Sequence, residues 1–299
     1  MKQQRISKPQ AATDLPVMHE FALRSVHRSE FFSFMPESKV VGVAILTILA
    51  TWLTLDSAWA QMIGDQEQTV LQTLIKWTPL IFFGAPGEFG GFTLNVGISF
   101  LAMAIGTLLG LSLGVLQLSR NIATRNLSRL LTQIFRNSPW LVLLFYAMLL
   151  IPFKVEFLGI EFGIAGWLKA TIALSLPIMA NVADIVRGAV GSIPTGQWES
   201  AESLAFTRHQ TIWHIILPQC VKRMIPPWMN WYCILAMSTP LVSILGVNDA
   251  MTLTRDALAA EGRSEFLIPL YLWLMSWFFI YTYPIALYTR RLEARFAVR

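Results

Sequence analysis

The stretch that decides the fold runs from Asp184 to Gln219, DIVRGAVGSIPTGQWESAESLAFTRHQTIWHIILPQ. It lies between two apolar runs, each close to the roughly twenty residues needed to cross a bilayer, so it reads as an aqueous loop joining two spans. Pro194 and Gly196 break the chain at its start. From Gln197 to Ala205 good helix formers follow, with Trp198, Ala201 and Ala205 spaced to form one apolar face. Glu199 and Glu202 are expected near the positive N-terminal end of this helix, where carboxylates are favoured. A second helical stretch, Arg208 to Ile216, is expected to close at Pro218. A rigid hairpin of this kind, presented at a membrane face, is suited to docking onto a soluble partner.

Composition agrees with a membrane setting. Of 299 residues 55% are hydrophobic and only 14% are charged, a balance that belongs to a chain with several spans and not to a soluble domain. The net charge of +5 does not signal nucleic acid, because Lys and Arg gather at span ends and form no single basic face. Cys220 and Cys233 have no metal-ligand spacing and read as reduced, structural residues.

Outward from the loop, the chain alternates apolar runs with charged turns. Residues 1–39 are polar and mixed in charge and read as a cytoplasmic tail. Residues 40–60 form a first span; Ala58-Trp59-Ala60 imitates a signal-peptidase site, but the long tail before it favours an uncleaved anchor. Residues 61–91 begin polar, become amphipathic through Val70, Leu71, Leu74, Ile75 and Trp77, and read as an interfacial helix on the outer surface. Residues 92–289 hold five more crossings. In the first of these, Ala102, Gly106, Gly110 and Gly114 recur every four residues, a small-residue stripe for close helix packing. Arg120, Arg125, Arg129 and Arg136 hold the next turn inside. The following span, from about Trp140 to Pro152, is short unless it begins nearer Leu131. A further span, from Gly163 to Ala183, is expected to kink at Pro177. The polar loop, taken broadly as 189–224, is cytoplasmic, and Pro226 and Pro227 are expected to start the fifth span of the chain. Asn248 to Glu265 returns outside, Phe266 to Tyr288 crosses back, and 290–299 is a cytoplasmic end. Eighteen of the twenty-three Lys and Arg then fall on the inner side, as the positive-inside rule requires.

The chain lacks a G-x-x-x-x-G-K-[ST] phosphate loop and the His-Glu-x-x-His zinc pattern, and its one G-x-S-x-G match, Gly110 to Gly114, falls inside an apolar span and not at a strand-to-helix turn, so no catalytic residue is assigned and the chain is not read as an enzyme. Uphill transport would draw on a partner or an ion gradient. Gradient-driven transporters keep ionisable residues at mid-membrane. Here Lys169 and Asp184 stand fifteen residues apart on one span, about 22 Å at 1.5 Å per residue, near opposite surfaces, and are read as snorkelling anchors. Thr171, Ser175, Asn230, Ser238 and Thr239 are candidate lining residues for a solute path; the same groups serve equally well as bonds to a neighbouring helix or the preceding turn.

The loop also resembles a family. Glu199-Ser200-Ala201, three residues, Ala205, nine residues, and Ile215-Ile216-Leu217-Pro218 are similar to the cytoplasmic signature of permease subunits of ATP-binding-cassette (ABC) importers, Glu-Ala-Ala, three residues, Gly, nine residues, Ile-x-Leu-Pro. Ser200 replaces Ala, and Ala205 replaces Gly at a bend that favours φ > 0. The flanks Ile185-Val186-Arg187-Gly188 and Ser192-Ile193-Pro194-Thr195-Gly196-Gln197 resemble the polar amino-acid uptake branch. Phe135-Arg136-Asn137-Ser138-Pro139 resembles that branch's Phe-Arg-Gly-Thr-Pro element, whereas Met237-Ser238-Thr239-Pro240-Leu241 lacks the Lys-Asp pair of its Lys-Asp-Thr-Ser-Leu element.

The resemblance implies an all-α membrane helix bundle with six transmembrane helices, one N-terminal plus a five-helix type I ABC importer core, in a bacterial inner membrane with both termini cytoplasmic. It implies a coupling site of Gly196, Gln197, Glu199, Ser200, Ala201, Ala205, Ile215, Leu217 and Pro218. No cofactor is expected on this chain, ATP and Mg being held by the partner. The implied partners are a cytoplasmic ATPase dimer, an extracytoplasmic solute-binding protein, a second permease of the same or similar kind, and lipid. The implied solute is a polar amino acid or a close derivative. A secondary transporter or channel subunit, energised without an ATPase, is the alternative.

Overall fold

The computed structural model describes residues 69–157 and 160–296. The tail 1–39 and the span expected at 40–60 lie outside the described residues. Nine helices organise the rest: α1 (Val70–Phe83), α2 (Gly91–Leu116), α3 (Ile122–Asn137), α4 (Trp140–Leu150), α5 (Gly166–Gly191), α6 (Thr195–Ser203), α7 (Leu217–Ser238), α8 (Ala250–Glu261) and α9 (Leu267–Phe296). A small antiparallel hairpin, β1 (Lys154–Phe157) and β2 (Ile160–Gly163), joins α4 to α5. The architecture is the expected all-α membrane bundle, and among the described residues four helices are long and apolar enough to cross a bilayer: Gly91–Leu116, Gly166–Gly191, Arg208–Leu245 and Ser264–Phe296.

The tightest contact is between α2 and α5. Gly106, Gly110 and Gly114 lie over Ile178, Val182 and Val186, and a Cβ placed on any of the three glycines would stand 2.6 Å from an atom of its partner. Removing the side chains lets the two helix backbones approach, and dispersion across the wide contact replaces hydrophobic driving force, which lipid cannot supply. Around this seam Leu94, Ile98, Ala102, Leu174, Ile178 and Leu235 form the buried core.

Several boundaries differ from the sequence expectations. The short span is two helices: α3 ends at Asn137, Ser138 and Pro139 are extended, and α4 begins at Trp140. Alone, α4 is about 16 Å long, half the hydrocarbon core. Pro226 and Pro227 lie inside α7 and do not start it. The span that follows the hairpin begins far earlier, because Arg208–Gln210 and a π-helical turn, Thr211–Ile216, run directly into α7. Pro218 therefore lies where this π turn joins α7 and does not close the helical run.

The end of α5 away from α6 is closed by polar contacts. Asp249 is fully buried and caps α8 by accepting the Thr252 N–H at 2.9 Å, while Asn95 on α2 donates to its other oxygen at 3.1 Å and accepts the Ala250 N–H at 3.0 Å. Burial pushes the Asp249 carboxyl above its ordinary range, and these hydrogen bonds oppose the shift. At the other end of α8, Glu261 accepts hydrogen bonds from Lys76 and Trp77 on α1 at 2.7 and 2.6 Å, which hold its carboxyl below the ordinary range.

Two outcomes follow. Gly110→Ala forces α2 and α5 apart and costs about 1–3 kcal/mol, lowering the midpoint of thermal unfolding in detergent, whereas Gly188→Ala, with open space around it, leaves the midpoint unchanged or raises it. Because the Glu261 carboxyl is lowered in the folded chain, its contribution to holding α8 on α1 is complete above the carboxyl's unfolded-state range and is lost as pH falls through the folded value; Glu261→Gln removes this part of the acid dependence, read from an unfolding series in pH.

Candidate coupling site

The loop of interest begins one stage later than composition suggested. Asp184 is not its first residue but part of α5, which continues to Gly191. There Asp184 is clamped by Arg136 at 2.6 Å and by Arg187 one turn on, so it is an ion-pair hub and not a snorkelling anchor. The Arg of the Phe-Arg-Asn-Ser-Pro element thus ties α3 to α5 just before the chain leaves the bundle.

Ser192 caps α5, and Arg223 on α7 donates to its carbonyl at 2.6 Å and to its hydroxyl at 2.8 Å. Ile193 is buried with Ala189, Ile216 and Cys220, against Trp198, Ile215 and Met224. These contacts hold both ends of the hairpin to the two spans that it connects. Pro194 caps α6, and Gly196 sits in its first turn with open space around it.

α6 turns only one narrow edge inward. Ala201 is its single buried residue, Trp198 is half-buried, and Gln197, Glu199, Ser200 and Glu202 are exposed. Ala205, expected on the same apolar face, lies beyond the helix and is exposed. Neither Glu199 nor Glu202 falls in the first turn, because the helix starts at Thr195, two residues before the expected Gln197; the helix dipole therefore does little for either. Gln219 donates to Gln197 at 3.3 Å, a polar tie across the hairpin. Ile216 is buried, Ile215 and Leu217 are half-buried, and Pro218 is exposed.

The bend after α6 is a Schellman turn: Phe206 N–H donates to the Ala201 carbonyl at 3.1 Å and Ala205 N–H to that of Glu202 at 2.9 Å. It requires the left-handed region at Ala205, which has φ +57° and is the one non-glycine with positive φ among the described residues. The signature's geometry is retained without its glycine, at a cost of about 1–2 kcal/mol. Thr207 then opens the next helix through a capping box with Gln210. Leu204 and Trp213 lie exposed on either side of this bend.

The candidate path residues do not meet. Thr171 and Ser175 are buried and donate to the Trp167 and Ile172 carbonyls of their own helix; Ser238 and Thr239 donate to Ile234 and Ala236. Asn230 is exposed. Polar side chains that sequence reasoning passed over are better connected: Tyr232 and Tyr281 share a short hydroxyl contact, Ser99 approaches Tyr232 at 3.4 Å, and Trp228 donates to Thr107 at 2.7 Å. Aromatic residues at helical spacing gave no signal that their polar tips would converge. Lys169 also departs from expectation: it is completely buried, with its amino group 3.2 Å from the Phe153 ring centroid.

A bundle of long apolar helices with a rigid, outward-facing helical hairpin held between two of them defines a membrane-embedded transport subunit. Residues 106–293 match the binding-protein-dependent transport system inner membrane component family, and the chain belongs to it: a multi-pass, non-catalytic membrane component. A probable amino-acid ABC transporter permease of Sinorhizobium fredii is 30% identical over 53% of this chain and 67% of its own length. A putative glutamine transport system permease of Rickettsia conorii is 31% identical over 61% of this chain and 79% of its own. The fold matches a chain of an amino acid ABC transporter crystallised with histidines, with TM-score 0.60 and 23% identity over 73% of this chain and 97% of that one.

Restoring the glycine tests the bend. Ala205→Gly relieves the left-handed strain and stabilises the chain by about 1 kcal/mol, raising the thermal midpoint, while Ala205→Val lowers it; equal midpoints for the three would show that the bend is not under strain.

Proposed function

We propose that the chain is the permease subunit of an ATP-driven importer for a polar amino acid or a close derivative, and that α6 is the helix through which a separate ATPase moves it. The observation that carries this reading is the hairpin itself. A helix of nine residues that buries one alanine cannot be held by its own packing, yet Arg223, Ile193 and Gln219 fix its N-terminal end to α5 and α7. Such an element is stiff toward the bundle and open toward a partner. Glu199, Ser200 and Gln197 offer polar contacts on its free side, and Ala201 lets it sit close to Ile216 and its neighbours.

The substrate class rests on the relatives, whose names specify amino acids and glutamine. The partners follow from the same reading: two ATPases, a second permease completing the path, a binding protein on the opposite face, and both termini on the ATPase side. ATP closure would draw the two hairpins together, and α5 and α7, each running straight from the hairpin into the core, would carry that movement to the far side. An ion-coupled mechanism has less support, since Asp184 is neutralised by two arginines at the hairpin end and Lys169 lies about a turn from the other.

Glu199→Lys tests the reading. It reverses an exposed charge and leaves insertion and thermal midpoint as in the wild type, while uptake of labelled amino acids by vesicles holding the whole complex falls at least about tenfold, the loss expected when a charge-assisted contact worth 1.5–3 kcal/mol is removed. Wild-type uptake from this variant would take Glu199 out of the coupling contact, and a purified complex containing no ATPase would end the importer reading.

A further inference from the structure

Lys169 is the residue that neither the coupling mechanism nor the packing of the bundle explains. It is the fourth residue of α5, about 33 Å along the helix from Gly191 and so at the end opposite the hairpin. Its side chain is 0% exposed, and its Nζ has no hydrogen-bond acceptor among the described residues. A primary amine brings three donors, and the ring of Phe153 at 3.2 Å faces only one side of it. The acids at this end of the molecule are engaged elsewhere or exposed: Asp249 with Asn95 and Thr252, Glu261 with Lys76 and Trp77, Glu161 with Lys154, Glu88 with Asn248 and Glu265 with Arg263, while Glu156 and Asp256 are exposed.

Burying an amine without an acceptor is among the costlier features a chain can keep, and inside a membrane protein such a group marks a solute or ion site more often than a structural one. Phe153 supplies the means of access. Its ring lies against the amine, and the residue as a whole is 58% exposed. Its carbonyl accepts the Ile164 N–H at 2.7 Å, which ties the cover to the segment leading into α5.

We infer that Lys169 is the anchor for the carboxylate of the transported solute, and that Phe153 is the displaceable cover of this site. A carboxylate supplies the anionic acceptor that the ring cannot, and its arrival exchanges a cation–π contact for a charge-assisted hydrogen bond. The inference rests on the importer reading and deepens it: the solute would be recognised by its acid group, whatever its side chain.

The test uses the complete complex with its ATPase in lipid nanodiscs. Binding of labelled glutamine, histidine, arginine and glutamate is compared with that of the corresponding amino alcohols, which keep the side chain and amine but carry a hydroxymethyl group for the carboxylate. The expected result is at least tenfold weaker binding of the alcohol for any member that binds. Lys169→Met is expected to erase that difference while melting higher than the wild type, the combination shown by a group kept for function against stability. Lys169→Arg retains part of the preference.

Equal binding of acid and alcohol by the wild type overturns the inference, as does undiminished acid binding by Lys169→Met. A loss of acid binding that accompanies a lower melting point overturns it too, since a purely structural lysine would give that result. A lower maximal uptake rate with unchanged KM, as loss of a protein–protein contact would give, also counts against it. If vesicles holding the wild-type complex take up none of the four amino acids, the amino-acid importer reading itself fails; if they take them up equally well with wild type and Lys169→Met, only the role of Lys169 does.

Discussion

The close approach of α2 and α5 is the constraint on which the rest of this structure depends. In a bilayer, apolar side chains gain little by leaving lipid for one another, so helices associate where their surfaces fit. Gly106, Gly110 and Gly114 make that fit by leaving room for Ile178, Val182 and Val186. The helix so held is also the one that bears the buried Lys169 near one end and runs into the α6 hairpin at the other. Its position sets both sites at once.

Polar contacts then decide what the packed pair can transmit. Asp184 joins α3 to α5 through Arg136, and Arg223 joins the end of α5 to α7 through Ser192. Each contact crosses between elements just where they leave the bundle. On the opposite side Asn95 and Asp249 lock α2 to the start of α8. The hairpin, the seam and this lock follow one another along the bundle, with hydrogen bonds at the ends and dispersion in the middle.

Much of this was legible in the residues. The fourfold spacing of small residues in α2 announced the seam, and the apolar runs announced the bundle. The family signature, read from residues 185–218, pointed to the permease class to which the chain belongs. What was not legible had physical reasons. A proline marks a helix end only when its context is ordinary; Pro218 follows a π turn, and Pro226 and Pro227 lie within a long helix, so all three misled. Asp184 looked like the start of a loop because one of its two arginine partners, Arg136, is forty-eight residues away. The burial of Lys169 depends on Phe153, which precedes it across a hairpin that alternation alone did not reveal. Ala205 is the opposite case: a substitution flagged as ill suited to a left-handed bend nonetheless adopts it, because two backbone hydrogen bonds close the turn around it.

The continuous run Arg208–Leu245 has one further consequence. At 38 residues it is about 57 Å long, nearly twice the hydrocarbon thickness, so it cannot lie wholly within a bilayer core and would act as a beam in any tilt. A tilt of about 10° in a beam of that length displaces one tip by about 10 Å relative to the other. Large excursions at an aperture on the far face would then need only small shifts where force is applied, and the pair Pro226 and Pro227, close to the midpoint, would set how much of the stroke is lost to bending.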